Sequence, residues 1–187
     1  MLPAELPRHR FSVEEYRRMG EAGLFAEDDR VELIRGEIVD MNPIGAPHAA
    51  CVTNLTHTLV EKARGRFFVS VQNSFGAVDD SEPQPDFCLL RKRPSQSDEE
   101  IPSGEGLFIA IEVSDATLAY DRNVKLPLYA ETGIPEAWIV DLQNKKVEVY
   151  SEPSPDGYKA MRIFAAGEEV RSTAIEGLAV PVDEVMA

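Results

Sequence analysis

Apolar positions recur at helical spacing in three stretches of the chain, and short blocks rich in Val, Ile and Phe lie between and after them. Ser12 with Glu15 fits a capping box, and Val13, Tyr16, Arg17 and Met19 continue an amphipathic helix that should stop at the Gly20 to Gly23 region. Val31 to Ile34 and Glu37 to Met41 read as two strands turning at Arg35-Gly36. From His48 to Arg64, the positions Val52, Leu55, Leu59, Val60 and Ala63 keep a helical period, with Gly65 placed to end it. Phe67 to Gln72, Phe75 to Val78, Phe87 to Leu90 and Leu107 to Val113 read as strands. The polar stretch from Arg91 to Gly106 should be an exposed loop. Asp121 to Thr132 is helical in pattern and closed by Gly133, although Pro127 implies a kink or a late start. Ala137 to Val140 and Val147 to Tyr150 form a further hairpin about Gln143-Asn144, and the tail from Tyr158 suggests one or two strands and a short helix. Helices interleaved with hairpins describe an α/β (α+β) domain around one mixed sheet, and 187 residues suit a single domain spanning 1–187.

Charge narrows the function. Nineteen Lys and Arg against thirty-three Asp and Glu leave a net charge of −14, so any contact with a phosphate backbone needs a local basic patch. Arg91-Lys92-Arg93 is the best candidate for one. Cys51 and Cys88 read as reduced thiols rather than a disulfide framework. No apolar leader opens the chain, and the longest apolar run, Leu107 to Val113, is interrupted by Glu112 and far too short to span a membrane, so a cytoplasmic location is expected. Phosphate-loop, nucleophile-elbow and dinucleotide fingerprints are absent.

The residue that stands out is Glu112. Its strand is apolar on both faces, as for a strand covered on both sides, and an unpartnered carboxylate there costs several kcal/mol, so it must be paired or bind a cation. Asp86 opens a second apolar strand behind Pro85. If those strands are neighbours, two carboxylates meet at one point, and hard oxygen ligands of that kind suit Mg²⁺ or Mn²⁺. Lys125, four residues after Asp121 and four before Tyr129, shares a helical face with both. Taken alone it reads as a surface ion pair, whereas beside a carboxylate-bound metal it can serve an attacking water. His48 and Cys51 make a poor zinc site, and His48 reads as a surface or capping residue.

The ordered set of Val31 to Glu37, His48, Pro85-Asp86, Ile111 to Ser114, Asp121 to Lys125, Tyr129 and Gly133-Ile134-Pro135-Glu136-Ala137-Trp138-Ile139-Val140-Asp141 resembles the Uma family of restriction-endonuclease-like proteins, within the PD-(D/E)XK nuclease superfamily. The likeness runs from about Phe11 to Tyr150. It implies a restriction-endonuclease-like fold, a mixed central sheet flanked by helices, and a metal-dependent phosphodiesterase site. It further implies that Asp86, Glu112, Glu32 and the backbone carbonyl of Val113 are metal ligands, and that Lys125 replaces the lysine whose usual position is held here by Ser114. Ala137 departs from the aromatic residue common in the family, without touching a catalytic group. The expected activity is a Mg²⁺- or Mn²⁺-dependent endonuclease acting on nucleic acid, DNA ahead of RNA, as a homodimer. Its rivals are a non-catalytic scaffold that keeps the fold, and a metal-dependent phosphodiesterase of small or modified nucleotides that would tolerate the acidic surface better.

Overall fold

A computed structural model describes residues 8–26, 28–94 and 101–186. Helix α1 (Val13–Glu21) begins with the capping box read from the sequence: Glu15 N–H donates to Ser12 Oγ, and Ser12 N–H donates to the Glu15 carboxylate. The hairpin of β1 (Val31–Ile34) and β2 (Glu37–Asp40) turns through Arg35 and Gly36, both at positive φ, as a two-residue turn of this hand requires. At Gly36 any side chain would also strike Arg10, whose Cβ lies 2.7 Å from where a Cβ would stand. Helix α2 (Ala46–Ala63) buries Cys51, Leu55 and Leu59 and ends on Arg64 in the left-handed region.

The central sheet has six strands in the order β3 (Phe68–Val71), β4 (Phe87–Leu90), β5 (Leu107–Ser114), β6 (Glu136–Asp141), β7 (Lys146–Ser154) and β8 (Gly157–Ala165). Only the β5–β6 pair is parallel, and α3 (Leu118–Tyr120), a π-helical turn (Asp121–Lys125) and α4 (Leu126–Glu131) make its crossover. Alternation along β5 sends Ile111 and Val113 to the core that also contains Leu55 and Leu59 of α2, and Ala110 to the core that contains Leu126 and Tyr129 of α4. Every residue of β4 and β6 is buried, which accounts for the apolar runs Phe87 to Leu90 and Ala137 to Val140. Helix α5 (Val182–Met186) closes the chain behind a small sheet of β9 (Glu169–Arg171) and β10 (Ala179–Pro181). No helix among the described residues is long and apolar enough to cross a membrane.

Four local expectations change. Phe75 to Val78 is not a strand: Phe75 N–H donates to Pro83, Gly76 N–H to Pro102 and Ala77 N–H to Ser81, so its hydrogen bonds go to separate segments instead of along one partner. The stretch after β4 is not all exposed. Residues 95–100 lie outside the described ones, but Gly104 is buried against Thr132, too close for any side chain. The helix expected from Asp121 begins earlier, at Leu118, and reaches Pro127 through the π-helical turn, in which Leu126 N–H donates to Asp121 O. The tail holds three strands rather than one or two.

Candidate active site

The β4–β5 pairing sets Phe87 opposite Ile111, so one further step along the same antiparallel register puts Asp86 beside Glu112. The neighbouring strands required by the sequence reading are present. Asp86 Oδ2 accepts the Val113 N–H at 2.8 Å and lies 3.1 Å from His48 Nε2, while Oδ1 accepts from Gln72 Nε2 at 3.2 Å. Burial alone would raise this carboxyl, but His48, the Val113 amide and Gln72 hold it below the usual aspartate value.

Glu112 Oε1 accepts from the Tyr129 hydroxyl and lies 3.1 Å from Lys125 Nζ, while Oε2 takes no hydrogen bond among the described residues. Burial pushes the Glu112 carboxyl well above the usual range, with the Asp121 and Asp86 charges adding to it and Lys125 and Tyr129 opposing. Glu32 arrives from the β1–β2 hairpin, which is tied to the body by a Glu82 N–H donation to Leu33 O, while Arg17 of α1 holds the Glu82 carboxylate. Its own carboxylate accepts from Gln84 N–H at 3.0 Å and Tyr120 at 3.2 Å, and it pairs with Lys125 at 3.3 Å. Lys125 is therefore no surface ion pair. It is 4% exposed, and the attraction of Glu112 and Glu32 overrides the effect of burial and raises its pKa. Asp121 accepts instead from Ser114 Oγ at 2.6 Å and Thr117 Oγ1 at 2.7 Å. The π-helical turn before Pro127 carries Asp121 and Lys125, so the proline does not keep the lysine out of the site.

These groups line a cleft of ≈ 400 Å³ whose walls carry six carboxylates (Glu32, Asp40, Asp86, Glu112, Asp115, Asp121) against two cations, Arg30 and Lys125. Among the described residues no group of three or more His, Cys, Asp or Glu side chains is placed to hold a metal ion, and Lys125 lies between Glu32 and Glu112. The donor set nevertheless fits a hard divalent cation: all-oxygen ligands, an unengaged Glu112 Oε2, and more negative charge than the two cations neutralise. Asp86, Glu112 and Glu32 are the residues that would hold it.

His48 is not the surface or capping residue expected. It belongs to the first turn of α2, contacts Asp86, and has its Nδ1 buried without a partner among the described residues. Cys51 turns into the core, its thiol pushed up to about 12 by burial. Arg91 stands at the far end of β4 from Asp86, about 16 Å away at 3.3 Å per residue, with its guanidinium 4.1 Å from the centre of the Phe108 ring. It does not line the cleft. Sequence reasoning missed Gln72, Gln84, Tyr120 and Asp115. Only Gln84, next to the Pro85-Asp86 pair, carried a positional hint.

A solved structure described as a putative nuclease belonging to DUF820, from Anabaena variabilis, superposes with a TM-score of 0.71 at 15% identity, covering 94% of this chain and 97% of that one. The two chains share one architecture, a mixed sheet flanked by helices. No curated protein matches the sequence. The sequence model of the family described as "Uma2: Putative restriction endonuclease" matches residues 13–183, and the chain belongs to that family.

Proposed function

We propose that the protein is a Mg²⁺- or Mn²⁺-dependent endonuclease that hydrolyses phosphodiester bonds in DNA, with Asp86, Glu112, Glu32 and the Val113 carbonyl as metal ligands and Lys125 as the assisting cation. The observation that carries this reading is the meeting of Lys125 with Glu112 at 3.1 Å and Glu32 at 3.3 Å beside Asp86, from four separate segments of the chain. When bound, the ion supplies Lewis-acid polarisation of the phosphodiester and acidifies the attacking water. A water would add to phosphorus and release its proton to solvent while the opposite P–O bond breaks and the leaving oxygen takes up a proton from solvent. Lys125, kept protonated by Glu112 and Glu32, contributes positive charge to the anionic transition state rather than accepting the water's proton. Tyr129 and Tyr120 fix the Glu112 and Glu32 carboxylates, and His48 and Gln72 fix Asp86. A homodimer would supply two clefts for two strands.

The acidic cleft walls favour one second reading, a phosphodiesterase of short or modified nucleotides. A panel of supercoiled plasmid, duplex, single-stranded DNA, RNA and dinucleotides with Mg²⁺ or Mn²⁺ separates the two. Cleavage lost in EDTA, in Asp86→Ala and in Lys125→Ala is the expected result. Cleavage that survives Asp86→Ala would overturn both readings, and turnover of dinucleotides alone would select the second.

A further inference from the structure

Arg35, Arg64 and Lys145 adopt positive φ at chain reversals, two hairpin turns and a helix end, where left-handed backbone is needed. Gln72 adopts φ +52° at the bend where the chain leaves β3, one residue beyond the last pair of β3 with β4. A non-glycine residue held there is strained, and the surroundings must fix it in place. They do so on three sides. Gln72 N–H donates to the Asp86 carbonyl at 2.9 Å, its own carbonyl accepts from Gln84 Nε2 at 2.7 Å, and its side-chain amide donates to Asp86 Oδ1 at 3.2 Å. Gln84 in turn donates its backbone N–H to Glu32, and its carbonyl lies 3.5 Å from Lys125 Nζ.

From this we infer that Gln72 is a positioning residue of the candidate site: its strained backbone exists to aim an amide at Asp86 Oδ1 and, through Gln84, to keep Asp86 in register with Glu32. This rests on the metal-dependent reading given above. Oδ2 is held by the Val113 amide and lies beside His48, so without Gln72 the carboxylate keeps one anchored oxygen and can rotate about it. Donors behind a ligand of this kind typically govern metal affinity by 10- to 100-fold.

Strain makes the inference testable apart from folding. Glycine and asparagine suit a positive φ better than glutamine, yet glycine has no amide and that of asparagine is one methylene short of Asp86. Mn²⁺ titrations of the wild-type protein, Gln72→Gly, Gln72→Asn and Asp86→Ala by calorimetry, with thermal melts in EDTA, form the experiment. The expected result is a melting temperature in both Gln72 variants no lower than that of wild type, with Mn²⁺ affinity about tenfold weaker, and no measurable binding in Asp86→Ala. Unchanged Mn²⁺ affinity in Gln72→Gly and Gln72→Asn, while Asp86→Ala abolishes binding, would overturn the inference alone. Melting temperatures that fall with the affinity would also overturn it, by making Gln72 a structural residue. Full binding by Asp86→Ala would overturn the metal-dependent reading and this inference together.

Discussion

Lys125 is a buried ammonium whose removal leaves two buried carboxylates, Glu32 and Glu112, facing each other. Breaking such a group by deleting one partner costs about 3–5 kcal/mol, because the charges left behind are desolvated and unpaired. Lys125→Met should therefore lower the urea unfolding free energy in EDTA by about that amount. Lys125→Met combined with Glu112→Gln should recover a good part of it, since the raised Glu112 carboxyl already gains by losing its charge. Equal losses in the single and double variants would show that packing, not charge, is what Lys125 supplies. At this scale the sequence was legible where chemistry broke a pattern. Glu112 announced itself as an acid in an apolar strand, and Asp86 as an acid behind a proline at a strand start. Gln72, Gln84 and Tyr120 broke no pattern, because a glutamine at a strand end or a tyrosine at a helix start is ordinary until the fold points it at a carboxylate.

The element that decides where Lys125 points is the π-helical turn, and its outer side is clamped to β7. Arg122 donates through Nε and Nη2 to the Glu148 carboxylate, with Lys146 at 2.9 Å and the Tyr150 hydroxyl donating at 2.7 Å. Burial opposes ionisation of Glu148, but these donors hold its carboxyl down to about 2. An unfolded glutamate titrates near ~4.3, so the folded state binds this proton less tightly. The stabilisation is complete above that value and is lost as pH falls toward about 2. Arg122→Met should cost about 1 kcal/mol at neutral pH, given the partial exposure of the arginine, and the difference from wild type should shrink below about pH 4. Urea midpoints from pH 7 to pH 3 would reveal it, and a difference that stays constant across that range would put the loss down to packing. The helical pattern of 121–132 was readable, yet the π turn was not, because it depends on Asp121 reaching Ser114 and Thr117 while Lys125 reaches Glu112, contacts with no sequence period. Phe75 to Val78 misled for the same reason: it has strand composition, but its bonds divide between the 81–83 segment and Pro102 to Gly104, leaving no continuous edge. By contrast α1, the β1–β2 hairpin, α2 and β3 to β7 followed directly from capping, turn residues and alternation.

Over the whole molecule, a net charge of −14 and a cleft walled by six carboxylates against two cations set how a nucleic acid can be held. The basic cluster that the sequence put first, Arg91-Lys92-Arg93, starts at the far end of β4 from Asp86, with Arg91 stacked on Phe108, away from the cleft. Binding must then draw on few cationic contacts and on neutralisation of the cleft itself. Each phosphate contact contributes a slope of about −0.9 to the logarithmic dependence of duplex affinity on salt, and about −0.7 for a single strand. Anisotropy titrations of labelled oligonucleotides in Ca²⁺, across a range of NaCl concentrations, should give a slope no steeper than about −3, and EDTA should abolish binding. The shallow slope follows from the scarcity of cations, and the EDTA result from the surplus of carboxylates. A slope near −6 or steeper would mean that a basic face outside the cleft takes part, and one place to look for it is between two copies, where the Arg91 ends of two β4 strands could be brought alongside one backbone.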